Sequence, residues 1–184
     1  MSRWEPDARG RMTRAALDLF TERGYERTTA GDIAERAGVT ERTFFRHFAD
    51  KREVLFDGSE GLARTVADAV RTAPPDLAPL DVAAVGLTAA AALLEGGHDQ
   101  SARRHRVIEA NPALRERELL KLASLVDTTA EALRSRAADP LTAALAAHSA
   151  VTAFQVAFAR WVTEDQPPAL AACIAETVAA LRAL

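Results

Sequence analysis

Apolar positions along this chain recur at three- and four-residue spacing almost from end to end, the period of helices that bury one face. Met12, Ala16, Leu19 and Phe20 form the first stripe, and Gly24 follows as its stop. A short helix is expected from Thr29 to about Ala37, with Ile33 and Ala34 inward. Gly38 breaks the chain, and a second short helix covers roughly Thr40 to His47. Asp50 and Glu53 have capping-box spacing, which predicts a long helix reaching about Thr72. "APPDLAP" at 73–79 is a breaker. Further helices are expected at about 79–95, 99–110, 112–137, 140–164 and 168–183, separated by "EGGHD", "NP", "ADP" and "EDQPP". Sustained alternation and hairpin dipeptides are missing, so the expected class is all-α, about nine helices without a sheet.

Composition narrows this picture. The 184 residues suffice for one generous domain or two small ones. No run approaches the length of a membrane span, and "MSRWEPDARGR" lacks the apolar stretch of a signal peptide, so a cytoplasmic protein is expected. Cys173 stands alone, excluding an internal disulfide, and reads as a small core filler. The net charge of −3 is poor for a nucleic-acid binder, but it is unevenly spread. Residues 1–56 carry 11 Lys and Arg against 10 Asp and Glu, and the remainder 12 against 16. The sign favours an N-terminal polyanion contact only weakly.

The stretch "AGVTERTFFRHFADK" at 37–51 combines three phenylalanines with two arginines, a histidine and a lysine. Two short helices meeting at a Gly-containing turn form a helix-turn-helix. Ala34 allows a close crossing, Gly38 tolerates a positive φ, and Val39, Phe44 and Phe48 pin the second helix down. Thr40 suits the cap of that helix. Its other face carries Glu41, Arg42, Thr43, Phe45 and Arg46, a set suited to the major groove, where Arg meets guanine edges. His47 and Lys51 are placed for phosphates, and Thr29 opens the supporting helix toward another. Arg3, Arg9 and Arg11 offer either a minor-groove arm or a loose terminus. Singly, each of these residues has a commoner role as solvated surface or core. Their order in one segment is what favours DNA.

"TTAGDIAERAGVTERTFFRHFADKREVLF" at 28–56 resembles the DNA-binding segment of the TetR family of bacterial transcriptional regulators. The resemblance implies an N-terminal three-helix domain over 1–52 and a helical ligand-binding and dimerisation domain over 53–184. It implies a phosphate contact at Thr29, base contacts at Glu41, Arg42 and Thr43, backbone contacts at Phe45 and His47, and a phosphate clamp at Lys51. Phe45 departs from the tyrosine usual there, and Gly31 from a longer side chain. The family implies a homodimer through the helices at 140–164 and 168–183. In the first, Leu141, Leu145, His148, Thr152, Gln155 and Ala159 share one side, and Phe154, Phe158 and Trp161 another. In the second, Leu170, Cys173, Ile174, Thr177, Val178 and Leu181 form an apolar face.

Phe154, Phe158 and Trp161 line either a ligand pocket or plain core. "RRHRVIEANPALRERELLKL" at 103–122 resembles acyl-CoA-responsive regulators of this family, including the mycofactocin type, which implies an extended apolar effector. Arg103, Arg104, Arg106, Arg115 and Arg117 would then either meet its acidic end or form solvated surface. The four histidines lack zinc-ligand spacing, and nucleophile-elbow, phosphate-loop and metalloprotease motifs are missing, so neither metal, cofactor nor catalysis is expected. The alternatives are a small-molecule-binding helical protein, a scaffold or an enzyme without a motif, none of which explains Gly38–Lys51.

Overall fold

The computed structural model describes residues 7–184. Among them are nine α-helices and no strand: α1 Ala8–Arg23, α2 Ala30–Arg36, α3 Glu41–His47, α4 Ser59–Thr72, α5 Pro79–Ala91, α6 His98–Glu109, α7 Pro112–Arg134, α8 Pro140–Thr163 and α9 Leu170–Arg182. Arg3 lies outside the described residues.

The chain divides into two compact units, and the division does not follow the 52/53 boundary read from the sequence. The first unit runs to Asp57 and takes back Arg103–Glu118, the end of α6 and the start of α7. The second comprises Gly58–Ala102 and Leu119–Leu184.

In the first unit, Met12, Leu19, Phe20, Ile33, Phe44 and Val54 share one core with Ile108 and Leu114, both fully buried. Three arginines fasten 103–118 within this unit. Arg103 Nη2 donates to Asp18 at 2.7 Å. Arg104 Nε donates to the Leu55 carbonyl at 2.7 Å and its Nη1 to Glu118 at 3.1 Å, while the guanidinium lies over the Phe56 ring. Arg117 grips the Glu53 carboxylate with two N–H groups. Burial presses the Arg104 pKa down, and Glu118 opposes that shift.

The long helix expected from Asp50 to Thr72 is not continuous. Asp50 does cap, accepting from the Arg52 and Glu53 amides, but only a 3₁₀ turn follows at Glu53–Phe56. Asp57 is extended, Gly58 takes φ +89°, and α4 begins at Ser59. The capping box fails because Arg117 occupies the Glu53 carboxylate, and Gly58 supplies a backbone conformation costly for other residues. Asp57 is itself held to α1, accepting from Arg9 at 2.6 Å and from Thr13 at 3.3 Å.

In the second unit, α4 packs on α5, α5 on α8 and α9, and α8 on α9. Val66, Val70, Leu87, Leu133, Phe154, Trp161, Leu170 and Ile174 lie in its core. Phe154 and Trp161 are buried, with Phe158 stacked on Phe154. The α9 face expected to pair with a second copy is spent here: Leu170, Cys173, Ile174 and Val178 are all buried inside the unit. Ala172, Ala175 and Ala179 face outward instead. On α8 the expected two sides are present, with Leu141 at 69% and Leu145 at 60% exposure opposite the buried aromatics.

Helix α8 is long and apolar enough to span a membrane by length and composition, with a mean hydropathy of 1.4 over an 18-residue window. Of that window 44% is buried in the structure, so packing on α5 and α9 already uses much of its apolar content.

Helix α7 ends in a Schellman motif. The Ala138 amide donates to Leu133 O and the Ala137 amide to Arg134 O, which places Ala137 at φ +66°. Glycine has no Cβ to strain there. Ala137→Gly is expected to stabilise the fold by about 1 kcal/mol in chemical denaturation, without altering the denaturant slope.

Candidate nucleic-acid interface

Helix α3 owes its placement to its buried edge. Phe44 is fully buried and Phe48 nearly so, their ring centroids 5.3 Å apart. The turn before it is tied at several points. Gly38, at φ +69°, donates to Glu35 O, and Val39 donates to Ala34 O at 2.9 Å. Arg11 Nε reaches from α1 to the Ala37 carbonyl at 3.1 Å. Thr40 caps the helix, accepting from the Thr43 amide at 3.2 Å and lying 3.0 Å from the Thr43 hydroxyl.

The opposite edge is open. Glu41, Arg42 and Arg46 are exposed, Phe45 is 52% exposed, and Thr43 and His47 are half-buried. Phe45 leans its edge on Phe44, so the ring presents an apolar surface beside the arginines. Neither Arg42 nor Arg46 has an ion pair or hydrogen bond among the described residues. Several other arginines of this unit are engaged, Arg36 with Glu22, Arg52 with Asp50, Arg103 with Asp18 and Arg117 with Glu53, while Arg106 and Arg115 are exposed like the pair on α3. Two unneutralised guanidinium groups on one exposed face form a binding edge for polyanions, with donors of the right geometry for base edges.

Thr29 and Lys51, both expected at phosphates, also make contacts within the protein. Thr29 caps α2, accepting from the Asp32 amide and donating its hydroxyl to Asp32 Oδ2 at 2.7 Å. The Thr29 hydroxyl and the Thr29 amide, both donating to Asp32 Oδ2, hold the Asp32 carboxyl below its usual pKa. Lys51 Nζ donates to Tyr25 O at 2.9 Å and Thr28 O at 3.1 Å, and lies 4.1 Å from the centre of the Tyr25 ring. Arg9 and Arg11, possible minor-groove arms, are drawn to Asp57 and Ala37. Gly31 is not required for space, since a Cβ there would meet Thr29 Oγ1 at 3.6 Å and Glu41 Oε2 at 3.8 Å, ordinary contact distances.

The residues grouped for an effector fall in different units, Arg103 and Arg106 in the first and Phe154, Phe158 and Trp161 in the second. Arg103, Arg104 and Arg117 are committed to Asp18, Glu118 and Glu53. Sequence reasoning missed that pairing and the core roles of Ile108 and Leu114. Val107, Ile108 and Leu114 do form an apolar pattern around the Asn-Pro break, but the pattern does not name what it covers.

Comparisons with known proteins agree with this geometry. The family of bacterial regulatory proteins, tetR family, matches residues 13–57. The HTH-type transcriptional regulator TcmR of Streptomyces glaucescens is 42% identical over 72 residues, 39% of this chain and 32% of TcmR. The chain thus spans about a third of the length of the curated relatives it matches. Among solved structures, FadR of Thermus thermophilus, a TetR-family transcriptional repressor in complex with lauroyl-CoA, aligns with a TM-score of 0.59 and 23% identity, covering 95% of this chain and 93% of that one. SmeT, the repressor of the Stenotrophomonas maltophilia multidrug efflux pump SmeDEF, aligns with a TM-score of 0.62 and 19% identity over 95% of this chain and 88% of that one. Residues 13–57 therefore match the model of the bacterial regulatory proteins, tetR family, and the chain shares its fold with these solved structures.

Proposed function

We propose that this protein is a ligand-responsive transcriptional repressor that binds a near-palindromic operator as a homodimer in the cytoplasm, without catalysis. The observation that carries the reading is the pair of unneutralised cations, Arg42 and Arg46, on the exposed edge of a helix bolted down by Phe44 and Phe48. Helix α3 enters the major groove, where Arg42 and Arg46 meet guanine and Thr43 a base or thymine methyl. Glu41 accepts from a base amino group, while Thr40, Phe45 and His47 abut the backbone.

The second unit carries dimerisation and effector binding. Leu141, Leu145 and Val156 of α8 remain exposed, and burying them against a second copy removes apolar surface from water. The small outward residues of α9 allow close approach of a partner helix. Two recognition helices are then held roughly 34–36 Å apart, one turn of DNA. The effector is an extended apolar molecule, consistent with the lauroyl-CoA of the FadR complex and resting on Phe154, Phe158 and Trp161. It acts by favouring the arrangement of the dimer that does not fit adjacent grooves.

Selection of the purified protein on random duplexes tests the reading. The expected product is a near-palindrome with half-sites one turn apart, bound with an affinity that falls steeply with salt. Failure to enrich any sequence, or a monomer by light scattering at micromolar concentration, would end it.

A further inference from the structure

We propose that Glu41 is a specificity-determining residue that acts by repulsion. Its carboxylate weakens binding to DNA that presents no exocyclic amino group, of cytosine or adenine, opposite it. The inference rests on the DNA-binding reading above, and adds to the base contact given to Glu41 there a cost on every other sequence. It starts from Gly31, where the family resemblance leads one to expect a longer side chain. A Cβ at Gly31 would lie 3.6 Å from Thr29 Oγ1 and 3.8 Å from Glu41 Oε2. The Glu41 carboxylate, coming from α3, and the cap hydroxyl of α2 therefore flank the same point. Thr29 and Glu41 are both exposed. An anion thus stands beside the threonine expected at a phosphate. The neighbouring carboxylate is engaged within the protein: Asp32 accepts from the Thr29 amide at 2.8 Å and the Thr29 hydroxyl at 2.7 Å, with Arg23 Nη1 4.0 Å from its other oxygen. The Glu41 side chain has no ion pair or hydrogen bond among the described residues. Its charge is left for whatever approaches the helix.

A carboxylate accepts hydrogen bonds and donates none. In the major groove guanine offers N7 and O6 and thymine offers O4, all acceptors, and only cytosine N4 and adenine N6 donate. Beside guanine or thymine Glu41 faces lone pairs, and beside the backbone it faces a phosphate. Binding to arbitrary sequence draws almost wholly on phosphates, so an unpaired anion on the reading face subtracts from it. Where an amino group stands opposite, a charge-assisted hydrogen bond offsets that cost. The gap between operator and other DNA widens without any gain in the operator's own affinity.

The experiment uses the whole protein, the duplex from selection and a random-sequence duplex. Glu41→Gln keeps the shape and removes the charge. Its affinity for the random duplex is expected to rise about three- to tenfold at low salt, the gain shrinking as salt screens the charge. Operator affinity should stay level or fall, and repeated selection should lose the preference for an amino-bearing base at one position. Replacing that base pair should weaken binding of the wild-type protein, whereas in Glu41→Ala the same replacement should cost nothing. Asp76→Asn, which removes an exposed carboxylate from the second unit, controls for net charge and should change random-duplex affinity less than about twofold. A carboxylate in the first turn also steadies a helix, but that role lowers Tm slightly on substitution and gives no gain on random DNA. Unchanged or lower random-duplex affinity in Glu41→Gln would overturn the inference, as would an equal gain in Asp76→Asn. Both outcomes leave operator binding intact. If the wild-type protein enriches no duplex, the DNA reading falls and this inference with it.

Discussion

Ile108→Ala is expected to destabilise the first unit by about 2–5 kcal/mol, although the residue lies sixty positions beyond the recognition helix. Ile108 is fully buried among side chains of 12–56, with Leu114 beside it. Truncation removes buried methyl and methylene groups and leaves a cavity that rigid neighbours fill only in part. For a chain of this size the loss corresponds to a fall in Tm on the order of 10 °C. Leu119→Ala is the control. Leu119 lies on α7 directly after the spliced segment and is 63% exposed, so its truncation should stay within about 0.5 kcal/mol. The same logic predicts that residues 1–57 expressed alone show no cooperative melt, because Ile108 and Leu114 no longer close their core. Thermal denaturation of the three proteins checks the argument. Equal effects of Ile108→Ala and Leu119→Ala would contradict the splice.

Arg42→Ala should cost each half-site one base contact, about 1–3 kcal/mol of discrimination per protomer, and erase the preference at one position of the selected sequence. The comparison that matters is Arg36→Ala. Arg36 is exposed too, but its guanidinium is already held by Glu22 at 2.9 Å, and that pairing keeps the Glu22 carboxyl below its usual pKa. Removing an engaged cation should leave the sequence preference untouched and the affinity nearly so. Repeating the selection with both variants separates the two. A loss of preference in Arg36→Ala as large as in Arg42→Ala would show that neutralisation within the protein does not mark which arginines read DNA.

Much of the fold was legible because its signals are local. The stripe Met12, Ala16, Leu19 and Phe20 has helical period and is buried as expected. Thr29 and Thr40 sit at their caps, and Gly38 takes the positive φ that the turn requires. Phe44 and Phe48 turn inward while Arg42 and Arg46 turn out, since a helix separates its faces by spacing alone. The break at Asp57–Gly58 was not legible. Asp50 and Glu53 have capping-box spacing, and nothing nearby reveals that Arg117 will take the Glu53 carboxylate. The α9 stripe was read correctly as apolar, yet its covering is α5 and α8 of the same unit.

Residue order therefore settles the helices, their caps and the two-faced character of α3, because hydrogen bonds and periodicity act over a few residues. Contacts between distant segments settle the rest: that 103–118 completes the core under α3, that Lys51 serves Tyr25 and Thr28, and that Arg42 and Arg46 keep an open face on α3. A charged or apolar side chain carries no label for its partner. Which of several carboxylates, carbonyls or rings it meets is decided by the path of the folded chain, through the burial and desolvation that the path imposes.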